Sequence, residues 1–599
     1  MHPSRFKNFA LVTSLLASLL SVIPFQAHAT PALPDCIPEV IESGGYITLE
    51  FTSLGTCTYT APTGTTVMQG LIVGGGGGGG NDMGGGGGGG GYVDFETLSV
   101  TSQTLTISVG AGGAGAPDGS GPAGTSGENS AITGSGISLT ALGGAGGASR
   151  TNYEDAPART GGGSGGGGSG GVQSSSVDLS SHQTQESQTQ TPILDSIGGI
   201  QLGNNGSPHC LGDWYPGGGG GAGSAGSCAP GNGGSGYENS ILGTTYFWAG
   251  GGGGAGHSHV AGNGGSGGGG GGAVYQGGPS IGTGGSGIHA GAMSLDGNRG
   301  GSGGDNTGGG GGGGAFNSAG PGYAGGNGGS GIVVLKFAAK SPTGAATRLR
   351  IARPSAGFGH GAAFTTQPQI GFADSAFNSV GTGSAVITAT ISSGGTLIGT
   401  ATASASGGSA TFSNLGVDGL VGKSYTLTYS APGFSPAIER VTLANTTCDG
   451  TSFRCQVGDI DTNGGLIFYA PDAPFKCGPN HADDCFYLEA APNTWSGGST
   501  DSTAYWSSNT YPYTGVEGIS RDASPNLDST QIGLGLKNSN NMAASDSSTG
   551  SAAVSARTYV DGSGHSDWYL PTIGELGLLC QMAHGQIPVV GRWASARNL

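Results

Sequence analysis

The sequence predicts a mainly β, multidomain protein that contains a bundle of polyglycine helices between flanking β-strands. Three observations support this prediction. Glycine accounts for 135 of the 599 residues and occurs in long uninterrupted runs. Segments of alternating polarity stand on both sides of the glycine-rich region, and the composition changes again near residues 345 and 448. Charged residues make up only 9% of the chain, against roughly 25% in a typical soluble domain, so we do not expect one uniform globular enzyme.

Residues 1–29 are typical of a signal peptide. Arg5 and Lys7 precede an apolar stretch at 9–23, and Ala27-His28-Ala29 supplies the small residues of a cleavage site. The apolar stretch is shorter than the roughly 18 residues that a membrane-spanning helix needs. We therefore expect a bacterial protein that is secreted or associated with the cell surface, begins at Thr30 after cleavage, and does not insert into a membrane.

The charge balance excludes one class of partner. The formal net charge is −17, with only 19 lysines and arginines in the chain. A protein that binds nucleic acid needs a basic patch to neutralise the phosphates. We therefore expect no nucleic-acid partner.

The nine cysteines are typical of an oxidising compartment. Eight of them fall into close sequential pairs, and the C-x₂₋₄-C spacing of a zinc site does not occur. Sequence cannot fix the connectivity, so proximity alone suggests the pairing. The candidate disulfides are Cys36–Cys57, Cys210–Cys228, Cys448–Cys455 and Cys477–Cys485, with Cys580 left over as a free thiol.

The glycine-rich region can be interpreted as a flexible linker or as an ordered bundle. Glycine loses the most backbone entropy on ordering, which favours the linker. Linkers, however, need neither the alternating strand 46–51 before the first run nor the strand 332–337 after the last. Glycine chains can also form extended helices of three residues per turn, in which each backbone N–H bonds laterally to a neighbouring chain. We expect the bundle.

Two short segments link this region to a known family. Leu71-Ile72-Val73-Gly74 begins the first run, and the segment 328–334 ends the last. Both resemble the ends of the bacterial glycine-rich domain family, and related polyglycine bundles occur in phage tail-tip adhesins. The resemblance implies a polyglycine-helix domain over residues 30–338.

Residues 345–445 read as short strands separated by Gly, Ser and Pro turns. The strand-like segments include 385–391, 410–412 and 425–429. With the segment 363–368 before them, they resemble a bacterial Ig-like domain. The resemblance implies a β-sandwich that acts as a spacer.

Residues 448–599 resemble the C-terminal domain of the collagen-like adhesin Lcl. The matching segments are 464–469, 487–492, 533–538 and 566–572. The resemblance implies a C-type-lectin-like α/β fold and, in the namesake, binding of sulfated glycans. The family continues beyond the last match, so we expect an incomplete, truncated domain. Within it we predict a helix over 573–583 with Leu576, Leu579 and Cys580 facing inward.

Four motifs suggest chemistry but lack the context that the chemistry needs. The segment 110–115 fits G-x-G-x-x-G, but a Pro- and Gly-containing stretch follows it where a nucleotide site needs a helix. Residues 422–424 resemble the end of a phosphate-binding loop, but they lead into a strand where such a loop needs a helix. Asp459 begins a calcium-loop pattern that lacks its final Glu. His257 and His259 could bind a metal or could simply be solvated. We predict no catalytic residues, no metal and no cofactor, and therefore no enzyme.

Aromatic residues offer better candidates for recognition, because their rings stack on sugar faces at low entropic cost. Trp214, Tyr215, Trp248 and Trp495 are the candidate ligand-binding residues. The alternative is that such rings form local core. We therefore predict an adhesin-like protein that binds carbohydrate or a cell-surface ligand. The alternative function is a structural envelope or matrix protein that assembles through its polyglycine region.

Overall fold

The structure is a computed structural model of the chain. It describes residues 36–62, 64–100, 103–119, 123–150, 163–169, 197–208, 216–257, 260–275, 281–294, 298–317, 322–341, 344–448, 453–462, 465–471, 473–491, 532–548, 550–560 and 564–583. These residues form a mainly β structure with several separate sheets, as the sequence predicts. No helix within these ranges is long and apolar enough to cross a membrane.

Strands before, between and after the glycine runs form two sheets around one core. Strands β1, β2, β12, β4, β5 and β9 lie side by side in that order, and β3, β6, β7 and β8 form the second sheet. Ile47 and Leu335 of the first sheet share a buried apolar cluster with Ile107 and Ile132 of the second. The strands are β1 (Glu39–Ser43), β2 (Tyr46–Phe51), β3 (Gly55–Thr60), β4 (Val67–Val73), β5 (Tyr92–Ser99), β6 (Thr104–Val109), β7 (Ser130–Gly134), β8 (Ile137–Ala141), β9 (Ile200–Leu202), β10 (Tyr237–Asn239), β11 (Tyr246–Trp248) and β12 (Ile332–Ala338).

The strands that begin and end the glycine-rich region are direct neighbours. β4 and β12 pair antiparallel, with Val73 opposite Ile332 and Leu71 opposite Val334. The chain therefore leaves the sheet and returns to it at adjacent positions. Between these two strands the chain also returns to the same sheet with β5 and β9 and to the second sheet with β6, β7 and β8.

The hydrogen bonds of the first glycine run repeat every three residues. Every third N–H donates to the same neighbouring run, and the N–H groups between them donate to two other neighbours. The donors to the run 84–91 are Gly74, Gly77 and Gly80, with N···O distances of 3.0, 2.8 and 2.9 Å. The donors to 123–129 are Gly75 and Gly78, and the donors to 322–331 are Gly76 and Gly79. Three residues per turn is the repeat of the polyproline II helix, so these runs are the predicted laterally bonded bundle.

Close backbone contact explains why these runs are glycine. A Cβ at Gly77 would lie within 3.0 Å of the backbone of Ala145. At Gly78 it would collide with Ala114, and at Gly79 with Gly312. The first run is thus packed on three sides against backbone, where no side chain fits.

The second region has its own strands and core. Its strands are β13 (Arg348–Arg353), β14 (Ala362–Ala363), β15 (Gln369–Ala373), β16 (Ser379–Val380), β17 (Val386–Ile391), β18 (Thr396–Ile398), β19 (Thr402–Ser404), β20 (Ser409–Thr411), β21 (Gly416–Asp418), β22 (Ser424–Ala431) and β23 (Phe434–Thr442). Phe372, Phe412 and Tyr429 lie at the centre of the core. β23 lies between β13 and β1, so one sheet runs from this region into the first.

The last described region combines small sheets with three helices. Its elements are β24 (Thr447–Cys448), β25 (Ile460–Asp461), β26 (Leu466–Tyr469), β27 (Phe475–Cys477), β28 (Asp483–Cys485), β29 (Leu488–Ala490), α1 (Gly535–Ser545), α2 (Ala552–Thr558) and α3 (Ile573–Ala583). The predicted helix 573–583 is confirmed as α3. The prediction for its inward face is wrong at Leu576, which is 51% exposed, because Leu578 takes the core position instead.

Three of the four predicted disulfides are present. They join Cys36 to Cys57, Cys448 to Cys455 and Cys477 to Cys485. The fourth pair, Cys210 with Cys228, includes a residue outside the described ranges. The backbone of Cys580 belongs to α3, but its side chain also lies outside the description.

Candidate functional site

Several glycine helices end together on the side of the bundle away from the sheet. The N–H of Gly80 donates to Gly85 across a tight turn, and that of Gly84 donates to Gly314. The N–H of Gly85 donates to Ala148, and that of Tyr275 to Gly256, each at 2.9 Å. The lateral bonds thereby bring together residues that lie far apart in sequence. We call Asp82, Arg150, His257, Tyr275 and Phe316, which stand at these ends, the bundle tip.

The three rings of the bundle tip contact one another. His257 stacks on Tyr275 with ring centroids 4.9 Å apart and planes 11° from parallel. Phe316 lies 5.3 Å from Tyr275 and 5.9 Å from His257, both tilted. The guanidinium carbon of Arg150 lies 4.8 Å from the Phe316 ring centroid. All four side chains are half-buried, so part of the cluster faces solvent.

A carboxylate lies beneath the arginine. Oδ1 of Asp82 lies 3.9 Å from the guanidinium of Arg150. This oxygen is buried and has no hydrogen-bond partner among the residues described. Asp82 is only 9% exposed, and burial raises the pKa of its carboxyl while Arg150 partly opposes the rise.

The turn that holds Asp82 is fixed by its neighbours. Asp82 and Met83 have positive φ values of 49° and 62°, a region that non-glycine residues enter only when the surroundings require it. The side-chain amide of Asn81 donates to the carbonyls of Pro117 and Gly119, each at 2.7 Å. The carboxylate is therefore presented by a rigid turn.

These groups offer contacts for a bound ligand. Clustered rings offer apolar area with a defined geometry, and a guanidinium over a ring adds a cation for polar ligand groups. No group of three or more metal-binding side chains occurs in the described ranges. The predicted histidine pair is described only at His257, which stacks on a ring, since His259 lies outside those ranges.

The structure locates one of the four predicted ligand-binding aromatics. Trp248 is fully buried, at 0% exposure, with Tyr92 and Val334 where the bundle meets the sheet. Its indole has no face that a sugar could reach, so its position matches the local-core alternative. Trp214, Tyr215 and Trp495 lie outside the described residues.

Two of the motifs set aside in the sequence have structural roles. In the segment 110–115, the N–H of Gly113 donates to Gly76, and that of Gly115 to the Asn327 side chain. These amides are thus already bonded within the bundle. Asp459 of the calcium-loop pattern accepts a hydrogen bond from His360 instead.

Sequence reasoning missed Asp82, Arg150, Tyr275 and Phe316. Each stands within two residues of the end of a glycine or alanine stretch, and that position is the signal that could have found them. Their convergence depends on the lateral register of the helices. Register between glycine runs leaves no pattern in sequence, because the runs are chemically uniform.

Comparison with known proteins agrees with the first part of the chain. No curated protein sequence matches the chain. The glycine bundle extends to Gly331, whose N–H donates to Gly110. Residues 52–305, which hold all but the end of this bundle, match the family described as a glycine-rich domain.

Proposed function

We propose that this is a secreted or cell-surface, adhesin-like binding protein that holds a carbohydrate or cell-surface ligand at the bundle tip. The observation that carries the proposal is the cluster of His257, Tyr275 and Phe316 at the end of the bundle, with Arg150 over the Phe316 ring. Rings of this kind stack on the apolar faces of sugars, and arginine bonds to their polar groups.

The glycine bundle suits this role because its glycine helices hold the tip residues at their ends. Along its length the helices contact each other through backbone, as at Gly77 and Gly78. A ligand that reaches the protein from outside meets the tip on a scaffold that is already ordered. Pre-ordered groups lose less entropy on binding.

The disulfides support the extracellular part of the proposal. Bonds such as Cys36–Cys57 persist in oxidising compartments and are rare in the cytosol. The expected signal peptide at 1–29 agrees with this compartment.

A glycan array probed with the mature chain tests the proposal. We expect binding that is reduced at least about tenfold in Tyr275→Ala and Phe316→Ala, since each variant removes one ring of the cluster. Phe486→Ala is the matched control, because Phe486 is an exposed ring on another region. Circular dichroism of each variant checks that the fold is retained.

Two outcomes would overturn the proposal. One is binding that survives both tip variants unchanged, which would place the ligand elsewhere. The other is no binding together with concentration-dependent assembly in size-exclusion chromatography, which would favour the structural envelope or matrix function.

A further inference from the structure

The first and second regions meet through very little backbone pairing. β1 lies between β2 and β23, and β1 pairs with β23 in parallel at one residue pair, Glu39 with Ile438. We call this meeting of β1, β2 and β23 the joint. With so few backbone bonds, side chains decide how firmly the joint holds.

Those side chains bring carboxyl groups together. Glu39 and Glu50 are direct partners across the antiparallel pair β1–β2, where like charges destabilise a sheet. Glu439 follows Ile438 on β23. Glu39 is half-buried, and both Glu50 and Glu439 repel it. Because Glu50 and Glu439 are only 7% and 2% exposed, water does little to screen this repulsion.

One cation faces Glu39 and Glu50. Arg440 lowers the pKa of both carboxyls, and its backbone N–H donates to the Glu39 carboxyl. Burial lowers the pKa of Arg440, against the raising effect of the nearby carboxylates. One positive charge cannot balance Glu39 and Glu50 when both are ionised.

The other elements packed on the joint add few charges. Tyr429 of β22 donates to Glu439 at 2.8 Å, and the Ser355 hydroxyl donates to the same carboxyl at 2.9 Å. From the glycine bundle, Asp305 raises the pKa of Arg440, and burial together with Arg440 lowers the pKa of His289. Glu42 of β1 also forms an ion pair with Arg350 of β13.

Burial keeps protons on these carboxyls at unusually high pH. Burial, with repulsion from Glu50 and Glu439, raises the pKa of Glu39 to about 8. Burial raises the pKa of Glu50 to about 7, while Arg440 opposes the rise. Burial also raises the pKa of Glu439, against the hydrogen bonds from Ser355 and Tyr429.

We propose that the joint is a pH-sensitive coupling between the first two regions, firm while Glu39 and Glu50 are protonated and loosened when both ionise.

The direction of the pH dependence follows from proton linkage. Below pH 4.5, the ordinary pKa of Glu, the carboxyls are protonated whether the joint is closed or open, so the closed joint has its full stability. As the pH rises above 4.5, the open joint, with ordinary pKa values, releases its protons first, while the closed joint keeps them until about pH 7 and 8. The closed joint therefore loses stability between pH 4.5 and about 8.

Another contact keeps the two regions attached when the joint loosens. Phe377 of the second region packs in the core of the first, with its ring 6.4 Å from that of Tyr59. The Arg348 guanidinium lies 3.8 Å from the Phe377 ring centroid. Loosening is therefore a local opening of β1 and β23 and not a separation of the regions.

Hydrogen exchange of the full mature chain at pH 5.5, 7.0 and 8.5 tests the proposal, with rates corrected for intrinsic exchange. Between pH 5.5 and 8.5 we expect peptides from β1 and β23 to lose protection by more than about tenfold, the effect of one unit of linked pKa change. Peptides from β7 and β8, in the second sheet, are the internal reference and stay constant.

The glutamine variants test the cause. In Glu39→Gln and in Glu39→Gln with Glu50→Gln, the pH dependence at β1 and β23 shrinks, because glutamine does not ionise. Glu128→Gln, an exposed site in the bundle, leaves the dependence unchanged. If β1 and β23 follow the reference peptides at every pH, or if the double variant keeps the full dependence, the proposal is wrong.

Discussion

His360 and Asp459 form a fully buried pair that joins the second region to the last, with Nε2 and Oδ2 2.7 Å apart. Asp459 also accepts hydrogen bonds from the backbone of Gln456 and Thr446 and from the side chain of Asn445. Burial would raise the pKa of Asp459, but these hydrogen bonds together lower it. The carboxylate is therefore held ionised by donors from both sides of the contact.

We predict that Asp459→Ala lowers the free energy of unfolding by about 3 kcal/mol or more. The change leaves the buried His360 and the half-buried N–H groups of Gln456 and Thr446 without this acceptor, and an unsatisfied buried donor costs about 1–3 kcal/mol. Urea unfolding measures it. Asp484→Ala, at an exposed ion pair with Lys476, is the control and costs less than about 1 kcal/mol.

Because Asp459 is already bonded within the protein, calcium should not raise the melting temperature of the wild type. An increase would restore the calcium-loop interpretation.

A second prediction concerns the start of α3. The N–H of Thr572 donates to the Glu575 carboxylate at 2.8 Å, and the N–H of Glu575 donates to the Thr572 hydroxyl at 3.2 Å. This reciprocal pair is a capping box. Thr572→Ala should destabilise the last region by about 1 kcal/mol, measured by its denaturant midpoint. Thr558→Ala, at the end of α2, caps no free N–H and should have a smaller effect.

The third prediction concerns Cys580. Six cysteines are paired in the three disulfides described, and Cys210 with Cys228 remains the predicted fourth pair. We therefore expect one titratable thiol in the denatured, non-reduced protein. Cys580→Ser should reduce the count to zero. A count of zero in the monomeric wild type would contradict the prediction.

The sequence predicts structure best where the pattern is local. Alternating residues identify β2 and β12, and the helix 573–583 is correct to its ends. The pairing of His360 with Asp459 spans 99 residues and leaves no local pattern. The bundle tip is harder still, because uniform glycine runs do not specify which neighbour each will pack against.

The inward face of α3 illustrates a different limit. Leu576 and Leu578 are equally apolar, so composition cannot separate them. The capping box turns Glu575 inward to bond with the N–H of Gly533, and this sets the rotation of the helix. Leu578 then faces the core and Leu576 faces solvent.

The last prediction tests whether the glycine bundle is as tightly packed as its hydrogen bonds indicate. The N–H of Gly269 donates to Gly265, and a Cβ at this position would lie within 3.0 Å of the backbone of Gly251. Gly269→Val must therefore push neighbouring helices apart, and we expect a loss of about 1–3 kcal/mol or more, as in an overpacked core. Gly381→Val is the matched control, because a Cβ there has nothing within 4 Å. Calorimetry of both variants measures the difference in stability.

Hydrogen exchange tests the same packing. Amides of the run 217–221, which donate to other parts of the bundle, should exchange slowly in the wild type and faster in Gly269→Val. Equal stability of the two variants, or exchange at the rate of an unfolded peptide in the wild type, would mean that the runs are not packed helices in solution.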